Sequence, residues 1–177
     1  MTEELWHLVE GKREDGAPSL FRIRDVEPRP DQSTIFVVEV SYAAPGLGRL
    51  PSVAGYRRLA QFEDRWLVPA CNALGWTFVA AKIEDGSAFL YVYGRGDTAP
   101  MIERLAAFEP GLGFFDEQDP GWDEYAALRE LRDRANTFAS PADPPPKPAV
   151  KPSKRAKITS KLRVTPKKKR ATTRRPR

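Results

Sequence analysis

Thr34-Ile-Phe-Val-Val-Glu-Val-Ser-Tyr42 is the stretch from which the rest of the folded chain can be read outward. β-Branched and aromatic residues dominate it, the composition that suits a pleated, half-buried surface. Alternation places Phe36, Val38, Val40 and Tyr42 on one face. Ile35 and Val37 share the other face with Glu39 and Ser41, which makes that face apolar at one end only. Downstream, Tyr56, Leu59, Trp66, Ala70 and Leu74 recur at helical spacing and predict a helix over about Ser52 to Leu74. Arg57, Arg58, Gln61, Asp64 and Arg65 fill its opposite side, and Pro69 should kink or break it near its last turns. Trp76–Ile83 and Ala88–Tyr93 then read as a hairpin around Asp85-Gly86, a strong turn signal. A second helix follows Asp97-Thr98, with Thr98 as cap and Pro100 in the first turn. It buries Met101, Ile102, Leu105 and Phe108, and Pro110-Gly111 ends it. A last short strand, Leu112–Phe115, returns to the sheet.

This order is the split β-α-β-β-α-β pattern of ferredoxin-like folds. The expected class is α+β, with two crossover helices on one sheet face giving two layers. Before this core, Leu5–Val9 and Ser19–Val26 predict an N-terminal hairpin turning at Asp15-Gly16 that extends or covers the sheet. Arg22 and Arg24 share one of its faces with Leu20. Glu27–Gln32, with two prolines, and Ala43–Pro51 read as loops. After the core, Asp119 fits a helix cap with Pro120 as first helical residue. The C-terminal helix should run to about Arg134, with Trp122, Tyr125, Ala126 and Leu128 on its apolar side, and Asn136–Ala139 should fray.

The chain has 177 residues, and charge divides it sharply. Residues 141–177 carry 14 Lys or Arg and one Asp, a net of +13; residues 1–140 carry 15 basic and 23 acidic residues, a net of −8. All four Trp, five Tyr and nine Phe precede residue 140. Two regions follow: an acidic α+β domain over 1–140, and a disordered Pro/Lys/Arg-rich tail over 141–177 with too few apolar residues to form a core. Pro141–Pro148 reads as a semi-extended spacer. Beyond it the cationic candidates for phosphate contact are Lys151, Lys154, Arg155, Lys157, Lys161, Arg163, Lys167, Lys168, Lys169, Arg170, Arg174 and Arg175. A single cysteine, Cys71, excludes an intrachain disulfide. The acidic opening Met1-Thr2-Glu3-Glu4 does not read as a signal peptide, and no apolar run is long enough for a membrane span. A cytoplasmic protein is expected, associated with the nucleoid if the tail binds DNA.

Three parts of the chain carry a likeness: Trp6–Gly11 with Asp15-Gly16 and the Arg22–Arg24 strand; Leu59-Ala-Gln-Phe-Glu-Asp64 followed by the strand-turn-strand at Trp76–Tyr93; and Asp119-Pro-Gly-Trp-Asp-Glu-Tyr125. In their order and spacing the chain resembles the bacterial domain of unknown function 695 family, over nearly all of residues 5–130. A domain similar to bacterial regulators of ribonuclease E, which sometimes adjoins that family, has no counterpart here. The resemblance implies no activity and no catalytic residue, and the basic tail lies outside it.

Individual side chains give little chemistry. His7 is the only histidine, and no spacing joins it to Cys71 or a serine as a nucleophilic pair. Cys71 reads as a small core hydrophobe. Asp116, Glu117, Asp119, Asp123 and Glu124 lack calcium-loop spacing and read as a cap plus first-turn acids. Gly46, Gly48, Gly94 and Gly96 match no nucleotide fingerprint. Tyr91, Tyr93, Phe114 and Phe115 lie on adjoining strands; such aromatics can stack bases, but cover by the N-terminal hairpin or by a second subunit is the preferred reading. Glu63 is the least expected residue, because it falls on the apolar arc of the first helix. A buried carboxylate needs a partner, and Arg22 or Arg24 can supply one. These three residues form the candidate buried polar site; no catalytic, metal or cofactor site is assigned.

The sequence therefore favours a non-enzymatic binding or regulatory domain tethered to DNA or RNA by its tail, salt-dependent and sequence-independent. The competing readings are a small-molecule or protein-binding module with an incidental solubilising tail, and association with an anionic membrane surface. A protein partner or a homodimer would use the sheet face. An enzyme ranks last, for want of a site.

Overall fold

The computed structural model describes residues 5–44, 49–108 and 112–138, the last three by backbone alone. Six strands form one open antiparallel sheet: β1 (Trp6–Lys12), β2 (Pro18–Arg24), β3 (Thr34–Ser41), β4 (Thr77–Glu84), β5 (Ser87–Gly94) and β6 (Gly113–Gln118). Their spatial order is β1-β2-β4-β5-β3-β6. The N-terminal hairpin thus extends the sheet beyond β4, with Ile23 opposite Ala80, and does not cover it. The fold is α+β, built on an open sheet that does not close into a barrel.

One face carries α1 (Val53–Phe62), a π-helical turn (Glu63–Leu67), α2 (Val68–Leu74) and α3 (Ala99–Ala106). Their buried side chains Leu59, Phe62, Leu67, Ala70, Met101 and Leu105 pack on Phe36, Val38, Val40, Leu90 and Val92. The alternation along β3 dictates this: its even-numbered residues feed that core. Ser52 caps α1 as its hydroxyl accepts the Gly55 N–H at 3.2 Å. The predicted buried face of the first helix needs rotation. Tyr56 is more than a third exposed, whereas Phe62 and Leu67 are fully buried. For Leu67 and the residues after it the reason lies in the π turn, where the Val68 N–H reaches back five residues to the Glu63 carbonyl. One extra residue in a turn sets back all that follow by about 100°. Pro69 accounts for its position: it lacks an N–H, and its ring would crowd the carbonyl four residues earlier. The ladder loosens before the proline, so that the helix neither breaks nor stops there.

Asp85 and Gly86 both have positive φ (49° and 89°), the two-residue turn that matches strand twist. Gly94 ends β5 where a Cβ would sit 1.9 Å from the Trp76 ring. Three local expectations change. Thr98 makes no side-chain cap bond, and Asp97 Oδ1 accepts the Ala99 N–H instead. β6 runs on through Asp116, Glu117 and Gln118, beyond the expected end at Phe115, because pairing with Phe36, Ile35 and Thr34 continues that far. α4 (Asp123–Phe138) starts after Pro120 and continues past Arg134.

α4 packs on the opposite sheet face, against β1, β2 and β4. There Trp122, Tyr125 and Leu128 meet Val9, Ile23, Ile35, Val37, Val79 and Tyr93. Tyr93 and Trp122 stack with ring centroids 4.1 Å apart and planes 12° from parallel. α4 thus covers the β1, β2 and β4 part of this face, a cover expected of the N-terminal hairpin, while Phe115 on β6 stays 57% exposed. Among the described residues no helix is long and apolar enough to cross a membrane.

Candidate functional site

β2 presents Arg22 and Arg24 on one side because residues two apart on a strand share a face. Across from them the π turn carries Glu63 at 6% exposure. Arg22 Nη1 donates to both Glu63 carboxylate oxygens at 3.0 Å. The guanidinium also lies 4.9 Å from the centre of the Trp6 ring. Burial pushes the Glu63 carboxyl above its ordinary value, and Arg22 opposes this without cancelling it. Arg24 Nη1 donates to the Phe78 carbonyl at 3.3 Å.

These groups open into a cleft of about 480 Å³, completed by Arg29, Asp64, Asn72, Thr77 and the edges of Trp6 and Phe78. Arg29 and Trp6 were not singled out from the sequence as belonging to one site. The spacing of Arg22 and Arg24 on β2 makes their shared side legible, but nothing in Glu27–Gln32 encodes where that loop folds. The loop is held from several directions. The buried Gln32 amide donates to the Gly75 carbonyl at 2.8 Å and accepts from the Thr77 hydroxyl at 2.9 Å. Trp122 Nε1 donates to the Gln32 carbonyl at 2.8 Å and approaches that of Arg29 at 3.2 Å. The Tyr125 hydroxyl accepts the Val26 N–H at 3.0 Å and donates to the Arg24 carbonyl at 2.9 Å. Arg132 pairs with Asp25 at 3.3 Å.

The acidic segment divides between a strand and a cap. Asp116 and Glu117 belong to β6. Asp119 Oδ1 accepts the Asp123 N–H at 2.8 Å and Oδ2 the Glu124 N–H at 3.1 Å; the Tyr93 hydroxyl also donates to Oδ2. Burial would raise the Asp119 pKa, but these bonds together hold it below the ordinary carboxylate range. Burial pushes the Tyr91 phenol up to about 12. Trp122 sits at φ 57°, a costly conformation for a bulky residue. It follows from turning Asp119 into the helix start while the indole is inserted under the loop.

A second cleft, of about 510 Å³, has Ile35, Val37, Phe89, Tyr91 and Phe115 as its floor and Glu117, Asp119, Asp123 and Glu124 at its rim. Phe114 lies on the other sheet face, stacked on Phe36. The four aromatics considered together in sequence are thus split between faces. Cys71 is buried, and its thiol is pushed up to about 12 by desolvation. His7 is partly exposed on β1. The twelve tail cations from Lys151 to Arg175, the Gly46 and Gly48 pair, and Pro110-Gly111 lie outside the described residues. No family model matches the chain, and neither a curated protein nor a solved structure is significantly similar to it.

Proposed function

We propose that the chain is a non-enzymatic binding or regulatory domain tethered to nucleic acid by its cationic C-terminal segment. The observation that carries this reading is the division of charge: a net of +13 in residues 141–177 against −8 in residues 1–140. Lys and Arg spaced by prolines bind phosphates by releasing counterions, with little regard to base sequence. The net negative charge of residues 1–140 argues against the domain's general surface as a phosphate-binding footprint. The strand order β4-β5-β3-β6, with α1–α2 and α3 as crossovers, further supports a ferredoxin-like core lengthened by the N-terminal hairpin. The likeness to the unknown-function family adds an order of elements and no activity.

A salt titration tests the reading. Six to ten phosphate contacts give a slope of log affinity against log salt of about −5 to −9 on duplex DNA. The full chain should show it, and the chain ending at residue 140 should not bind while keeping its circular dichroism. Equal binding by both overturns the tether. Stronger binding to anionic vesicles than to DNA or RNA at matched ionic strength would instead favour a membrane surface.

A further inference from the structure

Three guanidinium groups converge on one cleft of an otherwise acidic domain. Arg22 and Arg24 stand two residues apart on β2, roughly 6.6 Å along the strand, and Arg29 comes from the loop that follows. Both bonds from Arg22 to Glu63 leave from Nη1, so Nε and Nη2 are not used by that pair. The Trp6 ring on one side and the Glu63 carboxylate on the other fix the guanidinium plane. A side chain held in this way binds without having to be ordered first. Arg29 is exposed at the rim. Asp64 is the second carboxylate of the lining, so the described lining sets three guanidinium groups against two carboxylates. The volume, about 480 Å³, is that of a small-molecule site.

We propose that this cleft binds a small organic oxyanion, a carboxylate or phosphate on a compact aromatic or aliphatic body, with Arg24 and Arg29 as the anion contacts and Trp6 as the apolar wall. Arg22 is a positioning residue: through Glu63 it ties the cleft to the π turn, and its remaining N–H groups orient toward the same anion. The walls are set in advance, because Gln32, Trp122 and Tyr125 hold the backbone on which Arg24 and Arg29 ride. The proposal is independent of the tail, and the experiment keeps the two apart.

Phenyl phosphate and benzoate serve as oxyanion probes and benzamide as a neutral control, titrated into the full-length, 15N-labelled chain. The Trp6 indole N–H and the arginine Nε–H resonances report the cleft, and the lysines of 151–169 report the tail. The expected result is a saturable shift at Trp6 and the cleft arginines for the two anions, at least fivefold weaker for benzamide. Arg29→Gln, at the rim and without a structural bond in the described residues, should weaken the anions five- to tenfold, and Arg24→Gln by at least as much. Because Arg24→Gln also loses its bond to Phe78, Arg29→Gln is the deciding variant. Shifts confined to the tail resonances, shifts of equal strength for benzamide, or anion shifts unchanged in Arg29→Gln each overturn the site. Loss of duplex DNA binding on removal of the tail, with the Trp6 shift retained, would separate this site from the tether.

Discussion

On one face of the sheet, Phe62, Leu67, Met101 and Leu105 meet Phe36, Val38 and Val92 through apolar contact. On the other, Tyr93, Trp122 and Tyr125 each fill space and also direct a polar atom to a named partner. The first face gains stability by area removed from water, which is non-directional and tolerates repacking. The second adds bonds that only particular atoms can make, and an atom left without its partner costs free energy in proportion to its burial. Both cores share β3, whose even-numbered residues serve one and whose Ile35 and Val37 serve the other. The difference teaches that stability and placement are separate tasks here: the helix face holds the domain together, and the α4 face sets the loop that carries Arg29.

Substitutions sharpen this contrast. Truncating the large residues, Trp122→Ala and Phe62→Ala, should cost about 3–5 kcal/mol each by urea denaturation. A milder pair separates the faces. Trp122→Phe keeps an aromatic ring but removes Nε1–H, and should cost about 1–3 kcal/mol by orphaning the Gln32 carbonyl. Phe62→Leu should stay within about 1.5 kcal/mol. Equal costs for the mild pair would erase the distinction.

Arg22→Ala comes next, at about 2–3 kcal/mol at pH 7, because it leaves the buried Glu63 carboxylate unpaired. The sign with pH follows from the raised Glu63 pKa. Between the unfolded and folded values the native state holds the extra proton, so stability falls as pH rises through that window. Without Arg22 the folded value moves higher still, and the penalty should shrink on acidification toward pH 5. A penalty that is flat between pH 5 and 8 would place Glu63 outside this account.

Asp119→Ala removes the cap of α4 and should cost about 1–2 kcal/mol. The depressed Asp119 pKa works in the opposite direction from Glu63: its contribution is present above the ordinary Asp value and is lost as pH falls through the folded value. The smallest expected signal is at Cys71. With its thiol buried and pushed up to about 12, native protein at pH 8 should react with a disulfide reagent only as fast as it opens. Reaction at the rate of a free thiol would show that the helix face is looser than its packing implies.

Period-two and helical alternation made the helix face legible in the sequence. Phe36, Val38 and Val40 announced a strand and its inward side, and Asp85-Gly86 announced a turn whose dihedral angles the structure shows. Glu63 stood out because a carboxylate on an apolar arc breaks the pattern, and the strand spacing already placed Arg22 and Arg24 on one side. The phase of the helix beyond Glu63 was not legible, since one added residue per turn leaves no compositional mark. Nor was the role of Trp122. Its Asp-Pro-Gly-Trp setting reads as a cap with a helical proline, whereas the indole's distant acceptors, Arg29 and Gln32, draw the chain into a positive-φ turn first. Local propensity loses there to a contact some ninety residues away.

The π turn also makes the domain sensitive to chain length. It stores one residue more than an α-helical turn between Glu63 and Val68. Deleting a single residue between Asp64 and Trp66 would let the ladder close in the ordinary way, with no gap and no broken helix. The cost would fall at the join: the segments before and after would turn by about 100° relative to each other. Leu67, Cys71 and the approach to β4 could then keep their places only if Glu63 gave up Arg22. At this point the gene tolerates a change of letter better than a change of count.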